Sequence, residues 1–276
     1  MMYVIGGRGR LGRAICASRP AEQIVAPERG IYERWWQSGA EDSIARYFDR
    51  AECGSVVLVV SGVLDPAMPL VDHQRVNVEL PARIIDGACA AGLRVVTFGT
   101  VMERLLEHPN NYIATKADLG RLVAERAAAG NPVTHLQLHT LYGGGDPSPF
   151  MFLGQLCKAL RDGSVFEMSP GRQLREYHHV DDDVAAMHAL LAAGTRGVTA
   201  LSHGTPCTLR DLATHVFADV ERLDLLRIGA RPEPPDDNYA TMLKRPPDLK
   251  DIQFRSQSLG VSAYVRAVLS GQAKQA

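Results

Sequence analysis

Three glycines, Gly6, Gly9 and Gly12, stand at regular spacing directly after the apolar run Tyr3-Val4-Ile5 and at the start of the amphipathic stretch Leu11–Ala17. A strand that turns this sharply into a helix is the start of a β–α unit. The missing side chains permit the tight turn and let backbone approach a ligand. The helix N-terminus then presents N–H groups and a partial positive charge suited to a pyrophosphate. The rest of the first two thirds repeats the theme. Gln23–Val25, Ser55–Val60, Arg94–Phe98 and Thr134–Leu138 are short and nearly all apolar, as buried parallel strands are. Asp42–Arg50, Asn77–Ala91 and Tyr112–Ala129 read as the intervening helices. The pattern predicts an α/β fold, a Rossmann-type doubly wound parallel sheet with a smaller C-terminal α/β substrate lobe.

The texture changes after Tyr142-Gly143-Gly144-Gly145-Asp146-Pro147, and five prolines fall between Ile228 and Pro247. The expected division is therefore a dinucleotide-binding domain over 1–141, with 176–203 returning to it through a helix near Asp183–Ala193, and a substrate lobe over 142–175 and 204–276. With 30 Lys+Arg against 31 Asp+Glu in 276 residues, the chain has no net field to favour nucleic acid or a membrane surface. No apolar stretch reaches the ~20 residues that span a bilayer. Nor does the N-terminus read as a signal peptide, since Tyr3-Val4-Ile5 is already strand-like. Five scattered cysteines without a C-x-x-C pair fit a reduced, cytoplasmic protein.

Chemistry is signalled by Tyr112-Ile113-Ala114-Thr115-Lys116. The four-residue spacing puts the phenol and the ammonium on one helix face. A free tyrosine titrates near about 10. A nearby ammonium and an oxidised nicotinamide would favour the phenolate and lower that value. A hydroxyl at the end of the preceding strand would orient a substrate carbonyl, with Thr100 the first candidate and Thr97 the second. The expected dinucleotide contacts are Gly6, Arg8, Gly9, Arg10, Leu11 and Gly12 in the turn, Arg29 after the second strand, Ser61 after the third, and Lys116. Glu28 and Arg29 lie together beyond the second strand and so offer both a ribose carboxylate and a phosphate cation. Arg8 and Arg29 bracketing a 2′-phosphate favour NADP(H) over NAD(H). His178 and His179 read as packing or hydrogen-bonding residues, and no metal is expected.

With these motifs in place, the chain resembles the extended short-chain dehydrogenase/reductases, in particular the NAD(P)-dependent nucleotide-sugar epimerase, dehydratase and 4-ketoreductase group. Val76-Asn77-Val78 is similar to the family's structural asparagine segment, and Leu141-Tyr142-Gly143-Gly144-Gly145-Asp146 to its V-Y-G-P-G-D turn. Gly171 to Asp182 is similar to G-x-x-x-R-D-[FY]-x-[HY]-V-x-D, the longest and most specific of the matches. The resemblance implies that Tyr142 and Arg175 contact the substrate, Arg175 through its diphosphate, and that Asp182 is structural. For the second phosphate arginine the tail offers two registers, one through Arg245 in Arg245-Pro246-Pro247-Asp248 and one through Arg231.

One departure from the family matters. Only Thr97-Phe98-Gly99-Thr100-Val101-Met102-Glu103 stands where the family carries a fuller S-S-x-x-x-Y-G segment. The acidic pair that dehydratases need after the hydroxyl residue is replaced by Val101 and Met102. The resemblance then points to an NADPH-dependent reductase of a nucleotide-linked keto-deoxysugar, a 4-ketoreductase. Tyr112 would be proton donor, Lys116 the ribose and phenol partner, and Thr100 the carbonyl hydrogen-bond donor. The alternatives are an epimerase with tightly bound NAD and a non-catalytic dinucleotide-binding module. A homodimer is implied as well, with Leu119, Leu122, Val123 and Ala127 offering a face either to a twofold mate or to the chain's own sheet.

Overall fold

The computed structural model describes residues 1–65 and 67–273. Residue 66, within the expected dinucleotide domain, and residues 274–276, within the expected lobe, lie outside the described residues. The chain divides into two compact units, Met1–Leu138 with Met187–Leu201, and His139–Ala186 with Ser202–Ala276. The sequence placed these boundaries at 141 and 176–203. In the structure the strand Tyr177–His179 pairs with Thr140–Tyr142 and stays with the second unit, so the long helix Val180–Ala192 is shared between units.

In the first unit, β1 (Met2–Ile5), β2 (Ile24–Val25), β3 (Val56–Val59), β4 (Arg94–Thr100) and β5 (Val133–Leu138) join the strand Gly197–Leu201 in one six-stranded sheet. The order is Gly197–Leu201, β5, β4, β3, β1, β2, with every pairing parallel. The chain crosses from one side of β1 to the other between β2 and β3. The ends of β1 and β3 therefore bound the crevice where ligands bind in such sheets. β3 is buried at all four positions, as expected for a strand covered on both faces. The helices Glu41–Phe48, Leu80–Ala90 and Asn111–Ala128 supply apolar faces such as Ile44, Ile84 and Ile85. Leu119 and Val123, considered for a partner face, are wholly buried in this unit's own core, and Leu122 and Ala127 pack against it.

The helix expected over Asn77–Ala91 starts earlier, with Leu70–Gln74, and passes through a π-helical turn, Arg75–Glu79, before Leu80–Ala90. Such turns frequently mark functional positions, because they swing one side chain out of helical register. Here that side chain is Asn77.

The second unit has its own core around Tyr142, Leu156, Phe166, Phe217 and Tyr264. Short strand pairs and the helices Phe152–Asp162, Leu209–Asp219 and Gln257–Leu269 enclose it.

Candidate active site

The glycine turn has the geometry its spacing implies. Gly6 has φ of 98°, and a Cβ there would sit 2.5 Å from the Ser61 nitrogen, so only glycine lets the β1 and β3 loops meet. A Cβ at Gly12 would lie 2.4 Å from the Gly6 oxygen, against backbone that cannot move aside cheaply. Gly9 caps the helix Arg10–Ala17 with no side-chain hydrogen bond, leaving the opening turn to an external acceptor. Arg8, Glu28 and Arg29 are exposed, and Glu28 is the N-cap of the short helix Arg29–Tyr32.

β4 runs two residues further than its apolar stretch suggested, through Thr100. That extension separates the two threonine candidates. Thr97 is buried and its hydroxyl is engaged by His135 Nδ1 at 2.7 Å. Thr100 ends the strand, and its hydroxyl accepts the Met102 N–H at 3.3 Å, leaving its own proton to donate. Glu103 completes a capping box by accepting the Thr100 N–H at 2.6 Å. The same carboxylate accepts from Gln137 Nε2 at 2.8 Å and faces His135 Nε2 at 3.2 Å. A Cβ at Gly99 would collide with both Glu103 and His135, which is why the strand carries glycine there. Sequence reasoning assigned Glu103 no role. Its signal was the Thr100-x-x-Glu103 spacing.

Tyr112 and Lys116 lie in the first two turns of Asn111–Ala128, whose N-cap Asn110 accepts the Ile113 N–H at 3.0 Å. Lys116 is 6% exposed and donates to the Phe98 carbonyl at 2.8 Å. Asn77 ties this helix to the loop after β3. Its Oδ1 accepts the Val63 N–H at 2.9 Å, while Nδ2 donates to the Val63 carbonyl at 3.0 Å and to Thr115 Oγ1 at 3.2 Å. A Cβ at Gly62 would be 3.4 Å from both Asn77 Oδ1 and Lys116 Nζ, so the loop lies directly over the ammonium.

The sequence reading lowers the Tyr112 phenol through the ammonium together with an oxidised nicotinamide, and the protein's own groups pull the other way. Burial, and then the negative charge of Glu103, push it above its ordinary value. Burial pushes Lys116 down to about 8, against an upward pull from Glu103. Burial raises Glu103 itself, but the hydrogen bond and charge of His135, with the Gln137 and Thr100 bonds, outweigh it and leave its carboxyl below the usual range. Together these place a neutral phenol and a carboxylate behind the end of β4.

The expected substrate residues belong to the second unit. Arg175 donates to Asp237 Oδ1 at 2.5 Å and to the Leu174 carbonyl at 2.9 Å. Arg245 is held by the carbonyls of Leu249 and Ile252 and lies over the Phe254 ring at 5.3 Å. It lines a cavity of about 640 Å³ together with Arg255, His203, Phe254 and Gln257. Arg231 is apart from that cavity, exposed and 3.9 Å from Glu167. Tyr142, expected at the substrate, is instead a core residue. It is 1% exposed and packs on His179 and Tyr264, with its hydroxyl against Gly260. Asp182 accepts Arg255 Nη1 at 2.6 Å and the Arg255 N–H at 2.8 Å.

Comparison with solved structures places this fold among enzymes of nucleotide sugars. A dTDP-glucose 4,6-dehydratase from Streptomyces venezuelae, solved with NAD, is similar at 18% identity and TM-score 0.74, over 96% of this chain and 95% of the other. A UDP-N-acetylglucosamine 4-epimerase from Methanobrevibacter ruminantium is similar at 15% identity and TM-score 0.74, over 100% and 98%. A dTDP-4-dehydrorhamnose reductase from Clostridium acetobutylicum is similar at 15% identity and TM-score 0.73, over 97% and 99%. A search of curated proteins found no match. The model of the NAD dependent epimerase/dehydratase family matches residues 2–200. The chain belongs to that family, whose members are enzymes of the extended short-chain dehydrogenase/reductase type.

Proposed function

We propose that the protein is an NADPH-dependent reductase of a nucleotide-linked keto-deoxysugar, acting on a ketone at C4. The observation that carries this reading is the arrangement at the end of β4, where Thr100 keeps its hydroxyl proton free to donate and Tyr112 and Lys116 share the first two turns of the following helix. The Tyr112 phenol, neutral at ordinary pH, would give its proton to a developing alkoxide. Thr100 supports the same direction, since its hydroxyl accepts from backbone and keeps a proton for the carbonyl oxygen. A reduced nicotinamide, when bound, supplies the hydride. Lys116 would hold its ribose, and the Gly6–Gly12 turn with Ser61 would hold its pyrophosphate. Arg8 and Arg29, both exposed near that turn and the end of β2, favour the 2′-phosphate. On the substrate, Arg245 with Arg255 in the second-unit cavity meets the diphosphate, and Arg175 supports it from the Asp237 pair.

The short connection between Thr100 and Tyr112 argues the same way. It consists of one 3₁₀ turn, Val101–Arg104, and a loop, and of its two acidic residues, Glu103 and Glu107, the one nearer Thr100 points back to cap it rather than outward. A 4,6-dehydratase needs acid–base residues there. Epimerisation with retained NAD is the second reading, and Glu28 at the end of β2 favours it. Five free cysteines are consistent with a reduced cytoplasmic setting, and family resemblance extends the proposal to a homodimer. Among the described residues no helix is long and apolar enough to cross a membrane.

The test offers the full-length protein NADPH or NADH with a nucleotide-linked 4-keto-6-deoxyhexose and follows nicotinamide absorbance. Stoichiometric oxidation is expected. Tyr112→Phe should abolish it while leaving dinucleotide binding nearly unchanged, and replacing Arg8 and Arg29 by serine should erode the NADPH preference. Absence of oxidation, with NAD retained through purification, would replace the reductase by the epimerase.

A further inference from the structure

The second unit contains a buried group of side chains that the reductase chemistry does not use. Glu176 and Asp183 are each 1% exposed, and His178 lies between them. His178 Nδ1 is 2.6 Å from Asp183 Oδ1, and Nε2 is 3.0 Å from Glu176 Oε2. Two further imidazoles converge on the same carboxylate oxygen. His203 Nδ1 lies 3.5 Å from Glu176 Oε2, and His139 Nε2 lies 3.6 Å from it. Both histidine side chains are 8% exposed, and His139 Nε2 has no hydrogen-bond partner.

We propose that Glu176, His178, His203 and His139 form a binding site for one divalent transition-metal ion of the Zn²⁺ type. Four arguments carry it. The first is shape. A tetrahedral ion with bonds of about 2.0–2.1 Å has donor atoms about 3.3 Å apart, and the three separations from Glu176 Oε2 bracket that value. The second is tautomer. If His178 Nδ1–H donates to Asp183, its Nε2 faces the Glu176 carboxylate at 3.0 Å, and the two can share either a proton or a metal cation. His203 Nδ1 accepts the Thr205 N–H at 3.1 Å, a bond it would exchange for the ion.

The third argument is charge. Two buried carboxylates face one another across His178, and a divalent cation balances both. The fourth is the surrounding shell. Asp183 orients His178 as outer carboxylates orient metal-bound imidazoles, and the Ser202 hydroxyl and the His203 and Gly204 N–H groups fix the Glu176 carboxylate. Phe254 covers the rings of His178 and His203 at 5.0 and 5.7 Å. His203 also lines the 640 Å³ cavity, which gives an ion a route in.

Glu176, His178 and His203 lie within reach of one another, and with His139 moving in as the fourth donor the set would be closed and the ion structural. It would pin the Thr140–Tyr142 and Tyr177–His179 strand pair to the segment at Ser202–Gly204. No sequence spacing revealed this, because the donors come from three separate segments.

The test uses the full-length chain, stripped by chelator and titrated with Co²⁺ alone. A strong visible band of tetrahedral Co²⁺ is expected, saturating at one equivalent and bleached by Zn²⁺. His178→Gln and His203→Gln should each weaken Co²⁺ binding at least tenfold, and Asp183→Asn about 10–100-fold. His108→Gln, an exposed histidine of the first unit, should leave the binding unchanged. If a variant does not fold, the wild-type protein decides, through its spectrum and a melting temperature that rises with one equivalent of Zn²⁺. No tetrahedral band at one equivalent, or binding that survives the His178 and His203 changes, would overturn the proposal and leave His178 as an imidazolium between two carboxylates. None of these readouts depends on turnover, so they stand or fall apart from the reductase assignment.

Discussion

Asn77 is the position whose replacement tests the architecture of the site most directly. Its side chain is fully buried and holds both the N–H and the carbonyl of Val63 while reaching Thr115 on the Tyr112 helix. Asn77→Ala leaves the two Val63 groups and the Thr115 hydroxyl without that partner. Each buried polar group left unsatisfied costs about 1–3 kcal/mol. Val63 is only half-buried, so water can repair part of the loss, and a total of about 2–3 kcal/mol is expected.

Asn77→Asp is the sharper change. It keeps an acceptor for the Val63 N–H but sets a carboxylate oxygen against the Val63 carbonyl. Facing an acceptor in a buried site, the new carboxyl should titrate above its unfolded value. Its protonated form is then favoured by folding, and the variant's deficit relative to wild type should shrink as pH falls from 7 toward 4. Both tryptophans, Trp35 and Trp36, lie in the first unit, so urea unfolding followed by their fluorescence reports the unit concerned. Dinucleotide affinity should fall at least tenfold, because Asn77 fixes the loop over Gly62 and Lys116. A loss below about 0.5 kcal/mol with unchanged dinucleotide affinity would refute the reasoning, as would an Asp variant whose deficit grows on acidification.

Two further outcomes follow from the charges behind β4. Glu103→Gln removes the charge that raises both Tyr112 and Lys116, so the pH profile of turnover should move toward acid by about half a unit to one unit. An unmoved or alkaline-shifted profile would separate Glu103 from the phenol. For Lys116, a folded value of about 8 against an ordinary 10.5 means that the unfolded chain binds more protons between those values. The penalty of burying the ammonium is therefore complete below pH 8 and is relieved as pH rises toward 10.5. Lys116→Met should be the more stable protein at pH 7, by at most about 3 kcal/mol, with the advantage shrinking on alkalinisation. An advantage that grew with pH in matched urea titrations would contradict this.

How much of the protein was legible in its sequence depended on how local the cause was. The Gly6–Gly12 turn follows from backbone sterics within one β–α unit, and the pairing of Tyr112 with Lys116 from helical periodicity alone. The strands were readable because a strand covered on both faces is apolar throughout. The π turn at Asn77 was not legible, since no local residue demands it. It serves a hydrogen-bond set that exists only once the β3 loop and the Tyr112 helix are in place. Thr97 and Thr100 are equivalent as letters, and only their register against β5, which brings His135 to Thr97, decides which hydroxyl stays available.

The groups of the protein that act on the Tyr112 phenol were hidden for the same reason. The sequence shows the ammonium four residues away, while the burial and the Glu103 carboxylate that push the phenol up are products of packing. Tyr142 went from substrate contact to core residue because the second unit closes Gly260 and Tyr264 around it. In the second unit, Arg175 meets Asp237, Glu176, His178 and His203 cluster, and His139 approaches Glu176, across gaps no periodicity spans. The chain's own letters determined the elements and the local motifs, since those depend on interactions between near neighbours. Which charges face one another, which hydroxyl is free and which imidazoles share one carboxylate were decided by tertiary structure alone, because they depend on contacts between segments distant in the chain.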